Sequence, residues 1–209
     1  MSKIQTLNQI HEAGIVAVIR GKNAEEAEVF SKACVEGGVH VLEITFTVPN
    51  AIDVLQRLSE NLSDRALIGA GTVLDPVTAR LAIMNGAKFI VAPNFNPEVA
   101  KICNLYQIPY MPGCITPTEI TTALEYGVDV IKVFPGSLVK SAYFGAVHGP
   151  LPHVNLMPTG GVDIDNVGDW IQKGAYAVGV GGKLVSGTPE EITEKAKQFI
   201  QKIKEARGE

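Results

Sequence analysis

Short apolar runs alternate with amphipathic segments along most of the 209-residue chain. The runs are rich in valine and isoleucine and end at glycine, proline or asparagine, which is typical of strands buried on both faces of a parallel sheet. Eight strands are predicted, at residues 15–20, 39–46, 66–72, 88–93, 108–113, 128–134, 154–160 and 175–181.

The segments between these runs carry apolar residues three and four positions apart, which predicts helices. Residues that favour N-caps precede five of the segments, and glycines that favour helix ends follow three of them. The predicted caps are Asn23, Asn50, Asp75, Asn96 and Thr116, and the terminating glycines are Gly37, Gly86 and Gly127. Another helix, at about residues 3–13, is predicted before the first strand.

Regular alternation of strand and helix indicates right-handed parallel βαβ units. Eight units in a chain of this length favour one closed (β/α)8 barrel spanning residues 1–209, because no linker or low-complexity segment divides the chain. A doubly wound open sheet is the alternative. That fold usually has a glycine-rich dinucleotide turn after its first strand, whereas "VIRGKNAEEA" contains a single glycine.

Composition narrows the functional classes. The net charge of −4 argues against nucleic-acid binding, which requires a basic surface. No apolar stretch approaches a membrane span, and the N-terminal segment lacks the apolar centre of a signal peptide, so we expect a cytoplasmic protein without a membrane partner. The three cysteines lack CxxC spacing and are expected to be free thiols.

Lys132 interrupts the apolar run "VDVIKVF". Burying an ammonium ion is costly, so a lysine in such a strand either loses its proton or finds a partner, and a neutral lysine is a nucleophile. Because side chains alternate along a barrel strand, Lys132 is expected at the C-terminal end of the strand, facing the interior. The same alternation places Arg20 and Glu43 at that end, where barrel active sites lie, and the end of predicted strand three contributes Thr72.

These residues also have structural explanations. Strand-end charges are often solvated, and Lys132 and Glu43 are compatible with a purely structural ion pair. Four polar strand ends at one edge favour a functional site. Lys88 provides a contrast, because it precedes its apolar run and is therefore expected at the opposite, N-terminal end of the barrel.

Two glycine-rich turns, "MPTGGV" at 157–162 and "GVGGKLV" at 179–185, follow predicted strands seven and eight. Barrels often bind phosphate there through backbone amides, so the pair predicts an anion site. The four histidines are scattered without an HExxH motif, which argues against a metal site, and no GxSxG motif predicts a serine nucleophile. With metal and serine chemistry disfavoured, the remaining prediction is that the Lys132 amine condenses with a carbonyl group and that the Glu43 carboxylate transfers protons.

Four ordered motifs, "LEITF", "GAGTV", "IKVFPG" and "PTGGV", resemble the class I aldolases that act on 2-keto-3-deoxy-6-phosphogluconate (KDPG) and 4-hydroxy-2-oxoglutarate (KHG). The resemblance implies a homotrimeric barrel that cleaves a 2-keto-4-hydroxy acid into pyruvate and an aldehyde, without a metal or other cofactor. It implies that Lys132 is the Schiff-base lysine and Glu43 the proton shuttle. The implied substrate-binding residues are Arg20, Thr72, Pro93, Phe134, Thr159, Gly160, Gly161, Gly181 and Gly182.

The chain departs from the family pattern at two positions. Some members carry a substrate-gripping arginine where this chain has Thr47, so carboxylate binding is expected to depend on Thr72, backbone amides or Arg20. Members often have serine in place of Gly182, which leaves the backbone as the donor there.

Two alternative functions would use the same glycine turns and charged residues. One is a phosphosugar isomerase or epimerase with Glu43 as its base, and the other is a barrel that only binds an acidic metabolite.

Overall fold

The computed structural model describes residues 2–209. The helices are α1 (Lys3–Ala13), α2 (Ala24–Glu36), α3 (Ala51–Asn61), α4 (Pro76–Met84), α5 (Pro97–Leu105), α6 (Pro117–Glu125), α7 (Ala142–His148), α8 (Val167–Gln172) and α9 (Pro189–Arg207). The strands are β1 (Ile15–Ile19), β2 (Val41–Thr45), β3 (Leu67–Gly71), β4 (Ile90–Val91), β5 (Tyr110–Met111), β6 (Gly113–Cys114), β7 (Ile131–Val133), β8 (Leu156–Pro158) and β9 (Val178–Val180). Each predicted strand is present, although all are shorter than predicted.

All strand pairs are parallel. Six strands form one sheet in the order β5-β4-β3-β2-β1-β9, and three form a second in the order β6-β7-β8. The predicted fifth strand is split into β5 and β6 by Pro112, which has no N–H group to donate. A parallel bridge between Thr159 and Gly179 connects the region of β8 to β9. The protein is therefore an α/β fold whose parallel sheet curls into a half-barrel.

The apolar core has two parts, one on each face of the strands. The larger part lies between the strands and the helices. The smaller part takes at least one side chain from each of the eight predicted strands: Val16, Val41, Leu67, Phe89, Val91, Met111, Val130, Met157 and Ala177. Ile10 of α1 joins this inner cluster and is fully buried. In most strands the residue of the inner cluster lies near or before the N-terminal end, which leaves the C-terminal end for other side chains.

The predicted helix starts are largely confirmed. Asn23, Asp75, Asn96 and Thr116 each accept a backbone N–H at the start of their helix. The prediction for Asn50 is wrong in one respect, because its side chain makes no cap hydrogen bond. Asn50 has a φ of 55°, a left-handed conformation that asparagine tolerates, and its carbonyl oxygen rather than its side chain accepts the N–H groups of Asp53 and Val54.

The longest helix, α9, has acidic residues in its first turn and basic residues in its last turn, an arrangement that complements the helix dipole. It packs against both α8 and α2, so the last helix of the chain contacts the first helix that follows a strand. No helix within residues 2–209 has the length and apolar character needed to cross a membrane.

Candidate active site

Lys132 lies in the middle of β7, between the buried residues Ile131 and Val133. Its backbone N–H donates to the carbonyl oxygen of Pro112 at 2.9 Å, which ties β7 to the neighbouring chain segment. Val130, two residues earlier, belongs to the inner cluster, so the Lys132 side chain extends from the same face. Lys132 is only 5% exposed, which confirms the prediction of a buried lysine.

Glu43 is its partner across the interior. Glu43 lies in β2 and is 1% exposed, and its Oε1 is 3.7 Å from Nζ of Lys132. That distance exceeds the 2.7–2.9 Å of a strong charge-assisted hydrogen bond. Oε2 of Glu43 is buried and has no hydrogen-bond partner among the described residues. The carboxylate thus keeps a free oxygen beside the amine, in a position to exchange a proton with a ligand.

An aromatic ring also lies near the amine. The Phe134 ring centroid is 5.1 Å from Nζ of Lys132, within range of a cation–π contact. A Cβ atom built on Gly160 would lie 3.8 Å from the same ring, so the turn that follows β8 also borders this space. The amine thus lies near an aromatic ring as well as near the Glu43 carboxylate.

Thr159 adds a second buried polar group. It follows β8, is 5% exposed, and has the same parity as Met157 of the inner cluster. Its Oγ1 has no hydrogen-bond partner among the described residues. Two of the buried side chains at this end of the strands, Glu43 and Thr159, therefore carry unpartnered oxygen atoms, and such atoms in a native structure call for a ligand or water.

Thr72, Pro93 and Arg20 follow the ends of β3, β4 and β1. Thr72 is half-buried and has a φ of 60°, which is uncommon for a residue other than glycine and recurs at functional sites. Pro93 is half-buried, while Arg20 is exposed. All three lie at the same edge as Lys132, as predicted, and their roles toward a ligand stay predictions.

The glycine turns differ from each other. Gly160 and Gly161 have φ values of 84° and 78°, which glycine adopts without strain. Gly181 lies over Val18, and a Cβ atom at Gly182 would meet nothing within 4 Å, so a side chain fits at that position. Thr47 is exposed and its Oγ1 lies 2.8 Å from Oγ1 of Thr45. Whether these turns hold an anion stays a prediction.

Other reactive side chains lie elsewhere. Lys88 is exposed and precedes β4, at the opposite end of the strands from Lys132. Burial raises the pKa values of the Cys34, Cys103 and Cys114 thiols to about 12, so all three stay protonated and unreactive at neutral pH. Cys114 belongs to the outer part of the core, which directs it away from the site.

Sequence reasoning overlooked two glycines, Gly71 and Gly179. Both lie against the unpartnered side chains: a Cβ atom at Gly71 would collide with Glu43, and one at Gly179 would collide with Thr159. The strings "GAG" and "GVG" were the available signal, but glycine in a strand has several explanations that sequence alone does not separate.

Comparison with known proteins identifies the family. The family model for KDPG and KHG aldolases matches residues 6–203. This chain belongs to the KDPG and KHG aldolase family. The family consists of carbon–carbon lyases, so the enzyme prediction and the predicted resemblance are confirmed, and the isomerase and the non-catalytic barrel are disfavoured. The KHG/KDPG aldolase of Escherichia coli K12 is 32% identical over 200 residues, covering 91% of this chain and 92% of the relative.

Two solved structures are similar to this chain in both fold and sequence. KDPG aldolase from Legionella pneumophila, with pyruvate captured at low pH as a covalent carbinolamine intermediate, matches with a TM-score of 0.79, 29% identity and coverage of 94% of this chain and 96% of that chain. A cube-shaped, highly porous cage designed by fusing symmetric oligomeric domains matches with a TM-score of 0.88, 31% identity and coverage of 93% of this chain and 73% of that chain.

Proposed function

We propose that this protein is a class I aldolase that cleaves KDPG to pyruvate and glyceraldehyde 3-phosphate, KHG to pyruvate and glyoxylate, or both. The observation that carries this proposal is the buried Lys132–Glu43 pair, which has one unpartnered carboxylate oxygen at the active-site end of the strands. The Legionella relative, captured with pyruvate as a covalent carbinolamine, supports a covalent mechanism of this kind.

The reaction begins at Lys132. Its neutral amine attacks the C2 ketone of the substrate, and proton transfer gives a carbinolamine. Loss of water from the carbinolamine yields a protonated imine, which withdraws electrons from the neighbouring C3–C4 bond.

Glu43 then acts as the general base. Its carboxylate accepts the proton of the C4 hydroxyl, the C3–C4 bond breaks, and its electron pair forms an enamine while C4 leaves as an aldehyde. Protonation of the enamine at C3 regenerates the imine, and hydrolysis releases pyruvate and free Lys132. No metal ion or other cofactor enters these steps.

The remaining site residues bind the two ends of the substrate. Thr72 holds the carboxylate, Pro93 and Phe134 form apolar walls, and Thr159 orients the departing aldehyde. Arg20 and the glycine turns at 160–161 and 181–182 hold the distal anion. The direct test is whether the purified chain converts KDPG and KHG to pyruvate, measured with lactate dehydrogenase and NADH, in the presence of EDTA; absence of pyruvate from both substrates would contradict the proposal.

We infer that the two sheets together form the closed (β/α)8 barrel of a single domain. Three observations support closure: only Pro112 separates β5 from β6, a bridge joins Thr159, just after β8, to Gly179 in β9, and the inner cluster takes residues from all eight strand segments. The contact between α2 and α9 extends the same closure to the helix layer. An open doubly wound sheet would leave its edge strands unpaired.

We further propose a cytoplasmic homotrimer with α4 and α5 in the contact between subunits. Ten large apolar side chains are exposed among residues 2–209, and six of them lie in or directly beside α4 and α5: Leu74, Val77, Leu81, Met84, Leu105 and Tyr106. The only charged residue of α4, Arg80, lies over the Tyr106 ring. A helix without a polar face is normally covered, and the designed cage contains symmetric oligomeric domains.

Charge on this face is expected to separate the subunits. We predict that Val77→Glu with Leu81→Glu converts a species of three chain masses into a monomer in light scattering, because a buried unpaired carboxylate opposes association. Val29→Glu is the matched control, since Val29 is also exposed but lies on α2. A trimer that survives the double substitution would place the interface elsewhere, and a monomeric wild type would refute the oligomer itself.

Gly182→Ser is predicted to strengthen the preference for a phosphorylated substrate. The open space at Gly182 accommodates the side chain, and a neutral hydrogen bond adds roughly 0.5–1.5 kcal/mol, or about 2–12-fold in relative kcat/KM. Wild type should already prefer KDPG over its unphosphorylated analogue, but less than relatives with a serine do. Equal kcat/KM values for both substrates, unchanged by the serine, would make these turns structural.

A further inference from the structure

Two glycines lie against the side chains that carry the unpartnered oxygens. A Cβ atom at Gly71 would come within 2.0 Å of Oε1 and 2.5 Å of Cγ of Glu43. A Cβ atom at Gly179 would come within 2.2 Å of Oγ1 of Thr159. Real Cβ contacts are essentially never shorter than 3.0 Å. Neither position therefore accepts a side chain unless its neighbour moves.

The backbone does not explain these glycines. Neither Gly71 nor Gly179 has a positive φ, so the local conformation is open to other residues. Gly71 pairs with Thr45, two residues beyond Glu43 on the adjacent strand, and the Glu43 side chain leans along its strand over Gly71. Glycine is needed here because of the neighbouring side chain alone.

We propose that Gly71 and Gly179 are positioning residues for aldol cleavage, an inference that rests on the roles proposed for Glu43 and Thr159. Oε1 of Glu43 is the atom nearest to the Cβ position of Gly71, and the same oxygen lies 3.7 Å from Nζ of Lys132. A methyl group at Gly71 takes the space that Oε1 occupies and displaces the carboxylate from its present position beside the amine. A methyl group at Gly179 displaces the Thr159 hydroxyl in the same way.

The kinetic test compares Gly71→Ala with two matched variants. The first is Gly69→Ala: Gly69 is in the same strand, but a Cβ atom there would contact the Phe89 ring of the inner cluster. The second is Gly145→Ala, where the added Cβ atom has no neighbour within 4 Å. A displacement of about 1 Å in a catalytic group costs roughly 10²-fold in rate. We expect Gly71→Ala to lose about 10²-fold in kcat for KDPG, while borohydride trapping of the pyruvate imine changes less than about threefold.

The controls separate positioning from stability. Gly69→Ala should lower the Tm, by roughly 5 °C, with kcat and imine trapping changed in parallel or not at all. Gly145→Ala should match wild type in kcat and imine trapping, and its Tm should be unchanged or higher, because alanine is favoured over glycine inside a helix. If Gly71→Ala retains wild-type kcat, or loses imine trapping as much as kcat, the positioning role is wrong.

Two double-mutant cycles identify the partner. If Gly71 acts through Glu43, Gly71→Ala adds no further kcat loss to Glu43→Gln, because that carboxylate is already absent. The three atoms nearest to the Cβ built on Gly71 all belong to Glu43, so Glu43→Ala should also abolish the Tm loss caused by Gly71→Ala. Additive losses in both cycles would overturn the proposal.

The stability cycle is informative even if Gly71→Ala folds poorly. Recovery of folding in Glu43→Ala/Gly71→Ala would support the contact between the two residues, and continued misfolding would contradict it. If Glu43→Gln alone keeps wild-type turnover, the proposed base is wrong, and the positioning role of Gly71 is wrong with it, whatever the stability cycle gives.

The same kinetic cycle applies to Gly179→Ala with Thr159→Ala. In Gly179→Ala, kcat/KM for KDPG should fall without a change in imine trapping.

Discussion

Lys132→Arg is expected to abolish aldol cleavage. The substitution keeps the positive charge and most of the length of the side chain, but a guanidinium group is always protonated and does not form an imine with a ketone. If Lys132 served only as the ionic partner of Glu43, arginine would preserve part of the activity. The measurement is kcat for KDPG and KHG, with Lys88→Arg, at the opposite end of the strands, as the control.

Chemical trapping of the imine tests the same role of Lys132. Pyruvate with borohydride should inactivate the wild-type enzyme irreversibly, because reduction converts the imine into a stable secondary amine. Mass spectrometry of the digested protein should place the added group on Lys132, and Lys132→Arg should remain unlabelled. Label on Lys88, or none on the wild type, would contradict the assignment. EDTA should leave activity and labelling unchanged, and an activity that requires a metal would indicate a different class of aldolase.

Glu43→Gln is expected to reduce kcat by roughly 10²–10⁴-fold, the usual contribution of a general acid or base. Glutamine has nearly the same shape and should keep the packing against Gly71 and Lys132, but it does not accept the proton of the C4 hydroxyl. Imine formation with pyruvate does not include that C4 step, so borohydride trapping should decline much less than cleavage.

The ratio of these two effects distinguishes catalysis from structure. An ion pair that served stability alone would lower the Tm and reduce trapping and cleavage together, since both require the folded site. Wild-type cleavage by Glu43→Gln would refute the general-base role. Rapid-quench measurement of the trapped imine, beside steady-state kcat, supplies both numbers from one preparation.

Much of the fold follows from local pattern. The period of apolar residues changes between two and 3.6 along the chain, and those periods depend on backbone geometry alone. Helix α1 begins and ends where the pattern predicts, and the four side-chain caps at Asn23, Asp75, Asn96 and Thr116 form as predicted. Asn50 differs because a cap depends on the approach of the preceding chain, which composition does not specify.

The strand lengths were overestimated for a related reason. Val128, Val130 and Val154 precede β7 or β8 and are buried by the tertiary fold without being part of a strand, so burial extends farther than strand pairing. Pro112 likewise interrupts the predicted fifth strand, since pairing requires an N–H group at each successive position.

The sequence alone determined the alternation of strands and helices, the side of its strand on which Lys132 lies, and, through four ordered motifs, the family. These properties depend on neighbours within a few residues, and on residue types whose chemistry is not interchangeable. Only the tertiary structure decided that Nζ of Lys132 lies 3.7 Å from Oε1 of Glu43, and that Oε2 of Glu43 and Oγ1 of Thr159 have no hydrogen-bond partner. It also decided that Gly71 and Gly179 leave space for the side chains of Glu43 and Thr159. Those distances join residues on different strands, and packing of the whole molecule sets them.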